Sequence, residues 1–127
     1  MQQILIVGLG GFLGSIGRFL LSSLIVEMTA PNRFPLSTFA VNILGCLVIG
    51  LLAGLAERQP AFGPDARLFL FTGLLGGFTT FSAFGLETTD LIRRGELGFA
   101  ALYSGGSVAL GITAIWLGFK LVAMLAR

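Results

Sequence analysis

Gly73-Leu74-Leu75-Gly76-Gly77-Phe78-Thr79-Thr80-Phe81-Ser82-Ala83-Phe84-Gly85 lies inside an uncharged run, Leu68 to Leu86, that is long enough to cross a membrane yet poorly suited to a continuous helix. Four glycines, two threonines and a serine fall within it. Glycine and β-branched threonine both propagate a helix less well than alanine or leucine. Unwound backbone at membrane depth persists only where protein buries it or water reaches it. Transporter folds use such interruptions to expose carbonyls to cations and helix N-termini to anions. The composition therefore predicts a break in this span near the bilayer centre. An unbroken, glycine-tolerant helix is the alternative, since glycine is common in membrane spans.

Outward from this segment, charge divides the chain. Gln2 to Gly17 is uncharged, Arg18 interrupts, and Phe19 to Val26 is again uncharged; Phe34 to Ala56 and Leu97 to Phe119 complete the pattern. A membrane-crossing helix needs roughly 20 apolar residues. Four spans, at about 4–26, 34–56, 68–91 and 97–125, then account for nearly all of the 127 residues as a single transmembrane domain. The expected loops, Glu27 to Arg33, Glu57 to Arg67 and Arg93 to Glu96, are short. The first run lacks a basic n-region and reads as a retained span, not a cleaved signal. Only 11% of residues are charged, against about 25% in a soluble domain, and mean hydropathy is +0.95. A net charge of +2 supplies no phosphate-binding face, so nucleic acid is excluded as a partner. With one cysteine, Cys46, and no histidine, the chain has no intrachain disulfide, cysteine metal cluster or histidine-based triad. Paired acids, a nucleophile–base set and a phosphate loop are likewise missing, and the chain does not read as an enzyme.

Lysine and arginine set the direction of insertion. Four spans place Arg58, Arg67, Lys120 and Arg127 on one side and Arg18, Arg33, Arg93 and Arg94 on the other. A four-to-four balance gives little reason to prefer either direction and predicts dual topology, hence an antiparallel dimer of one sequence; miscounted boundary residues such as Arg18 and Lys120 are the simpler explanation. Gly10 and Gly14, and Gly50 and Gly54, are spaced four apart within spans. Small residues at that spacing let helix backbones approach closely in lipid.

Several side chains carry candidate chemistry, each with a plainer role beside it. Phe81 and Phe84, three apart, share a face of a helix resuming after the break. An aromatic ring has a negative face and a positive edge, so ring edges can line a route for a small anion without trapping it; among twelve phenylalanines, any one is more often filler or lipid-facing. Thr80 and Ser82 lie beside them. The Asn42 amide either bonds helix to helix or donates N–H to a dehydrated anion. Tyr103, Ser104, Ser107 and Thr113 offer hydroxyls in the fourth span, where self-bonding to the backbone is the alternative; Ser107 is one turn beyond Tyr103. Arg18 either snorkels to the headgroups or concentrates anions at a watery vestibule. Glu87 follows the broken segment and ends the uncharged run, pairs with Arg18 or Arg94, or gates an opening.

Taken together, Gly76-Gly77-Phe78-Thr79-Thr80-Phe81-Ser82-Ala83-Phe84 resembles the G-G-x-[ST]-T-F-S-x-F signature of the Fluc/CrcB fluoride channels. Gly10-Gly11-x-x-Gly14-x-x-x-Arg18, Ser37-Thr38-x-x-Val41-Asn42-x-x-Gly45 and Glu87 extend the likeness along the chain. The resemblance implies an all-α membrane protein of the cell's inner membrane: an antiparallel, dual-topology homodimer in the lipid bilayer whose two pores pass fluoride down its gradient. It implies that Phe81 and Phe84 contact the ions by their ring edges, that Asn42 and Ser107 face the pore, and that Arg18 lies near the vestibule. It also implies a structural sodium ion at the dimer centre, held by backbone carbonyls of Gly76 and Thr79 from each subunit. Fluoride enters acidified cells as HF and dissociates; a passive pore exports it under the inside-negative potential. Ala83 and Gly85 stand where many relatives carry hydroxyls, which shortens the polar track, and Gly111 replaces a serine of some relatives one turn after Ser107.

Three rivals differ in chemistry. A small multidrug antiporter needs a membrane-embedded acid, whereas the first span carries Arg18 and no acid. A non-conducting assembly subunit has no need of Asn42, the break and the phenylalanine pair together. A fluoride–proton exchanger has Glu87 as its sole plausible carrier.

Overall fold

A computed structural model describes residues 1–29, 31, 33–59 and 62–125. Arg127, counted above in the charge balance, lies outside the described residues. The uncharged runs become helices: α1 (Gln2–Met28), α2 (Leu36–Ala56), a segmented third helix, and α6 (Leu97–Leu125). Four helical stretches, the third being Pro64–Arg93, are long and apolar enough to cross a membrane. The segmented helix starts with α3 (Pro64–Arg67), inside the expected second loop. Proline suits a first helical position because its missing N–H has no intrahelical partner there anyway, and Asp65 in the same turn complements the helix dipole. A π-helix follows over Leu68–Leu75, then α4 (Gly76–Phe78).

Helical geometry stops at the next two residues. Thr79 (φ −84°, ψ 160°) and Thr80 (φ −149°, ψ 115°) are extended, and α5 (Phe81–Arg93) begins immediately after. Thr80 caps α5: its hydroxyl accepts from the Ala83 N–H at 3.3 Å, which satisfies one of the orphan donors of a helix start. Gly95 (φ 75°) turns the chain from α5 into α6 in a conformation that glycine adopts without strain.

Packing runs along two seams. The α2–α6 seam closes around glycine: a β-carbon on Gly118 would lie 2.6 Å from the Leu51 nitrogen and 2.8 Å from the Leu47 carbonyl oxygen. The α1 seam meets the π segment and α4. There a β-carbon on Gly10 would come within 2.6 Å of the Phe69 carbonyl oxygen, and one on Gly14 would strike the Leu74 carbonyl. Backbone thus lies on backbone, with dispersion and polar contacts doing what the hydrophobic effect does in water. Few large side chains are enclosed; Tyr103 and Val41 are the largest fully buried ones. Much of α1 and α6 presents leucine, isoleucine and phenylalanine outward, as lipid-facing helices do.

Candidate pore site

The two extended threonines are held from two sides. Asn42, on α2, uses both ends of its amide on one residue: its Oδ1 accepts from the Thr80 N–H at 2.9 Å, and its Nδ2 donates to the Thr80 carbonyl at 3.1 Å. The Thr79 N–H and hydroxyl both donate to the Leu75 carbonyl, each at 2.9 Å. Buried backbone polar groups must be paired somewhere, and at this interruption the protein supplies the partners itself. Of the two readings of Asn42, the structure shows the bond between elements. It bonds one element to another, and one amide hydrogen remains unused by Thr80.

This arrangement redirects donors away from specific carbonyls. In a continuous α-helix the Thr80 N–H would serve Gly76 and the Ala83 N–H would serve Thr79. Here the first goes to Asn42 and the second to the Thr80 hydroxyl. Gly76 and Thr79 both line the same crevice. Each carbonyl is thus left without the N–H that would serve it in a continuous helix, and a backbone carbonyl is the hard oxygen ligand that suits a hard cation.

The crevice has a volume of about 410 Å³ and lies between α2, the third helix and α6. It brings together most of the residues the sequence singles out: Asn42, Thr79, Thr80, Phe81, Phe84 and Ser107. Phe81 is 84% exposed, so its ring stands at the mouth. The Phe81 and Phe84 rings lie 5.6 Å apart at 37°. Phe84 continues to Tyr103 at 5.2 Å, and Tyr103 meets Phe34 nearly edge-on at 5.4 Å, which forms an aromatic file from the crevice toward the start of α2. The Ser107 hydroxyl oxygen is buried and has no hydrogen-bond partner. Such an unpaired buried hydroxyl is uncommon in a folded protein.

Other candidates lie elsewhere. Ser82 is exposed, 3.5 Å from the Thr80 hydroxyl, and does not line the crevice. Ser104 and Thr113 donate to carbonyls of their own helix, at 2.7 and 2.8 Å. Arg18 is half-buried on α1 and is absent from the crevice wall; a β-carbon on its neighbour Gly17 would lie 3.6 Å from the Phe78 ring. Neither Arg18 nor Arg94 forms an ion pair with Glu87; among the described residues the ion pairs are Arg33–Glu96 and Arg93–Asp90. Glu87 is instead held by hydroxyls, with Thr38 donating to Oε1 at 2.7 Å and Tyr103 to Oε2 at 2.6 Å. Sequence reasoning noted Tyr103 only as a loose hydroxyl donor and gave Thr38 no role. Their distance along the chain from Glu87 leaves no local signal of this contact.

Fold and site define a multi-pass helical membrane protein whose third helical stretch carries two extended threonines beside a half-enclosed, aromatic-lined crevice. The family model described as CrcB-like protein, Camphor Resistance (CrcB), matches residues 5–119, and the chain belongs to that family. It is 56% identical over 124 residues, 98% of this chain and 97% of the other, to a protein of Methylobacillus flagellatus named "Fluoride-specific ion channel FluC". Proteins of the same name from Nitratidesulfovibrio vulgaris and Novosphingobium aromaticivorans are each 47% identical, over 118 and 117 residues. These cover 93% and 91% of this chain and 94% and 92% of their own lengths.

Proposed function

We propose that the chain is a fluoride-selective passive channel that exports cytoplasmic fluoride and is not an enzyme. The observation that carries this reading is the convergence of Phe81, Phe84, Asn42 and the unpartnered Ser107 hydroxyl on one crevice, in a chain similar over nearly its whole length to proteins named for that activity. Each offers a weak, uncharged donor: a ring edge, an amide hydrogen, a hydroxyl. Conduction requires binding strong enough to strip water from the ion and weak enough to release it. Uncharged donors in a narrow path meet that requirement better than a buried arginine, and the crevice wall contains no charged residue among those described. Thr80 contributes the edge of the path, and Arg18 and Glu87 serve the vestibules: the Arg18 cation raises the local concentration of anions, whereas the Glu87 carboxylate, held by the Thr38 and Tyr103 hydroxyls, does not attract them.

The working unit is an antiparallel dual-topology homodimer with two pores. The wide mouth of the crevice and the 84% exposure of Phe81 support a second copy closing it, as does the near balance of basic residues between the two sides. Gly76 and Thr79 carbonyls from both copies would hold the central sodium ion, which supplies a fixed positive charge there. In this reading the two Asn42–Thr80 bonds hold the donors in register while the ion passes.

Fluoride-electrode efflux from proteoliposomes, measured against chloride, tests the proposal. Fluoride release driven by its own gradient, with chloride retained, supports it. Release that occurs only with an opposing proton gradient would instead make Glu87 a proton carrier and replace the channel with an exchanger.

A further inference from the structure

We infer that Gly45 is a positioning residue of the pore, and that its missing side chain, fitted against the Thr79 methyl group, holds the extended Thr79 backbone where it lines the crevice. This inference rests on the channel reading above. Gly45 lies three residues after Asn42 on the same face of α2, and both side-chain positions face the extended pair. Asn42 grips Thr80 by hydrogen bonds at 2.9 and 3.1 Å. Gly45 seats Thr79 by shape: a β-carbon there would collide with Thr79 Cγ2 and lie 3.5 Å from the Phe78 ring.

The two branches of Thr79 make that seat restrictive. Its hydroxyl is committed to the Leu75 carbonyl at 2.9 Å, and its methyl is committed to the Gly45 notch. A β-branched side chain has few χ1 wells to begin with, and both γ-atoms are now specified. Rotating Thr79 to escape an added methyl at position 45 breaks the bond to Leu75. Keeping the rotamer means shifting the Thr79 backbone, or moving α2 outward together with Asn42. Every relief therefore disturbs the two extended residues that line the crevice.

Complementary volumes give the test. Gly45→Ala adds one carbon to a filled space, and overpacking on the usual scale corresponds to a drop of roughly tenfold in fluoride flux. Thr79→Ser deletes the opposing methyl while keeping the hydroxyl, so the double variant Gly45→Ala/Thr79→Ser restores the fit. Gly54→Ala is the control. It lies on the same helix, and a β-carbon there would come 3.2 Å from Val122 Cβ, a tight fit in the α2–α6 seam but away from the extended pair, so its flux falls less than that of Gly45→Ala.

Initial rates of fluoride efflux are read in proteoliposomes of matched protein content, with size-exclusion profiles of each variant. Loss of flux in Gly45→Ala and recovery in the double variant support the inference. Wild-type flux in Gly45→Ala, a double variant no faster than that single variant, or an equal loss in Gly54→Ala would each overturn it. If Gly45→Ala yields no assembled protein, the double variant must both assemble and conduct, and its failure to do so is equally decisive. A wild-type protein that moves no fluoride sinks the channel reading itself, whereas failed rescue beside a conducting wild type sinks the role of Gly45 alone.

Discussion

Replacing Asn42 by aspartate changes one atom of the amide that grips Thr80 and reverses half of its chemistry. The 2.9 Å bond from the Thr80 N–H survives, because an oxygen still accepts it. The 3.1 Å bond to the Thr80 carbonyl is lost, because the Nδ2 donor becomes an acceptor facing another acceptor. A lost hydrogen bond and an acceptor left unpaired in a half-buried site together cost about 2–3 kcal/mol. If flux follows the population in which Thr80 is correctly held, that cost lowers it roughly 30- to 160-fold. The added carboxylate also opposes an anion in the crevice, so the figure is a lower bound. Asn42→Asp should run on size exclusion as wild type does, because the α1–π and α2–α6 seams do not involve Asn42. The assay is the initial rate of fluoride-electrode efflux at matched reconstitution. Flux within twofold of wild type would refute the reasoning, since it would mean that the grip on Thr80 is irrelevant to conduction.

Phe81→Ile removes a ring that stands 84% exposed at the crevice mouth; fluoride efflux is expected to fall while the elution position in detergent stays unchanged. Ser107→Ala deletes a buried hydroxyl with no partner. Thermal stability in detergent should hold or rise while efflux falls about tenfold, and a parallel loss of both would contradict the assignment. Tyr103→Phe takes away the 2.6 Å donor to Glu87. A hydrogen bond to a carboxylate contributes about 1.5–3 kcal/mol, so the unfolding midpoint should drop, and an unchanged midpoint would deny that contact its weight.

Uncharged runs mark the helices well because lipid exacts an unbroken apolar stretch, and charges retreat to the ends. The same rule explains the miss at Pro64: Asp65 and Arg67 end the uncharged count, although both belong to the first turn of a helix. The π segment could not be read from Leu68-Phe69-Leu70-Phe71-Thr72-Gly73-Leu74-Leu75, which is apolar nearly all round and carries no period to distinguish i→i+4 from i→i+5 bonding. Glycine and threonine density drew attention to the third span, and two threonines there are extended. What sequence leaves hidden is who holds them. Asn42 and Thr80 are 38 residues apart, Thr38 and Glu87 are 49 apart, and no local pattern encodes either pairing. Ser82 shows the converse: adjacency to Phe81 gave it weight, and the start of α5 turns it outward.

The interruption at Thr79 and Thr80 draws every hydrogen bond noted there from the chain itself: Leu75, Asn42 and the Thr80 hydroxyl. Its shape is therefore fixed before any solute arrives. If the crevice conducts as proposed, a site that already exists demands no reorganisation energy from its visitor, and transit is then limited by dehydration at the threshold and not by remodelling of the wall. The temperature dependence of transport should accordingly resemble that of shedding water, and remain shallow compared with the steep slope of a protein that must refold to let each ion through.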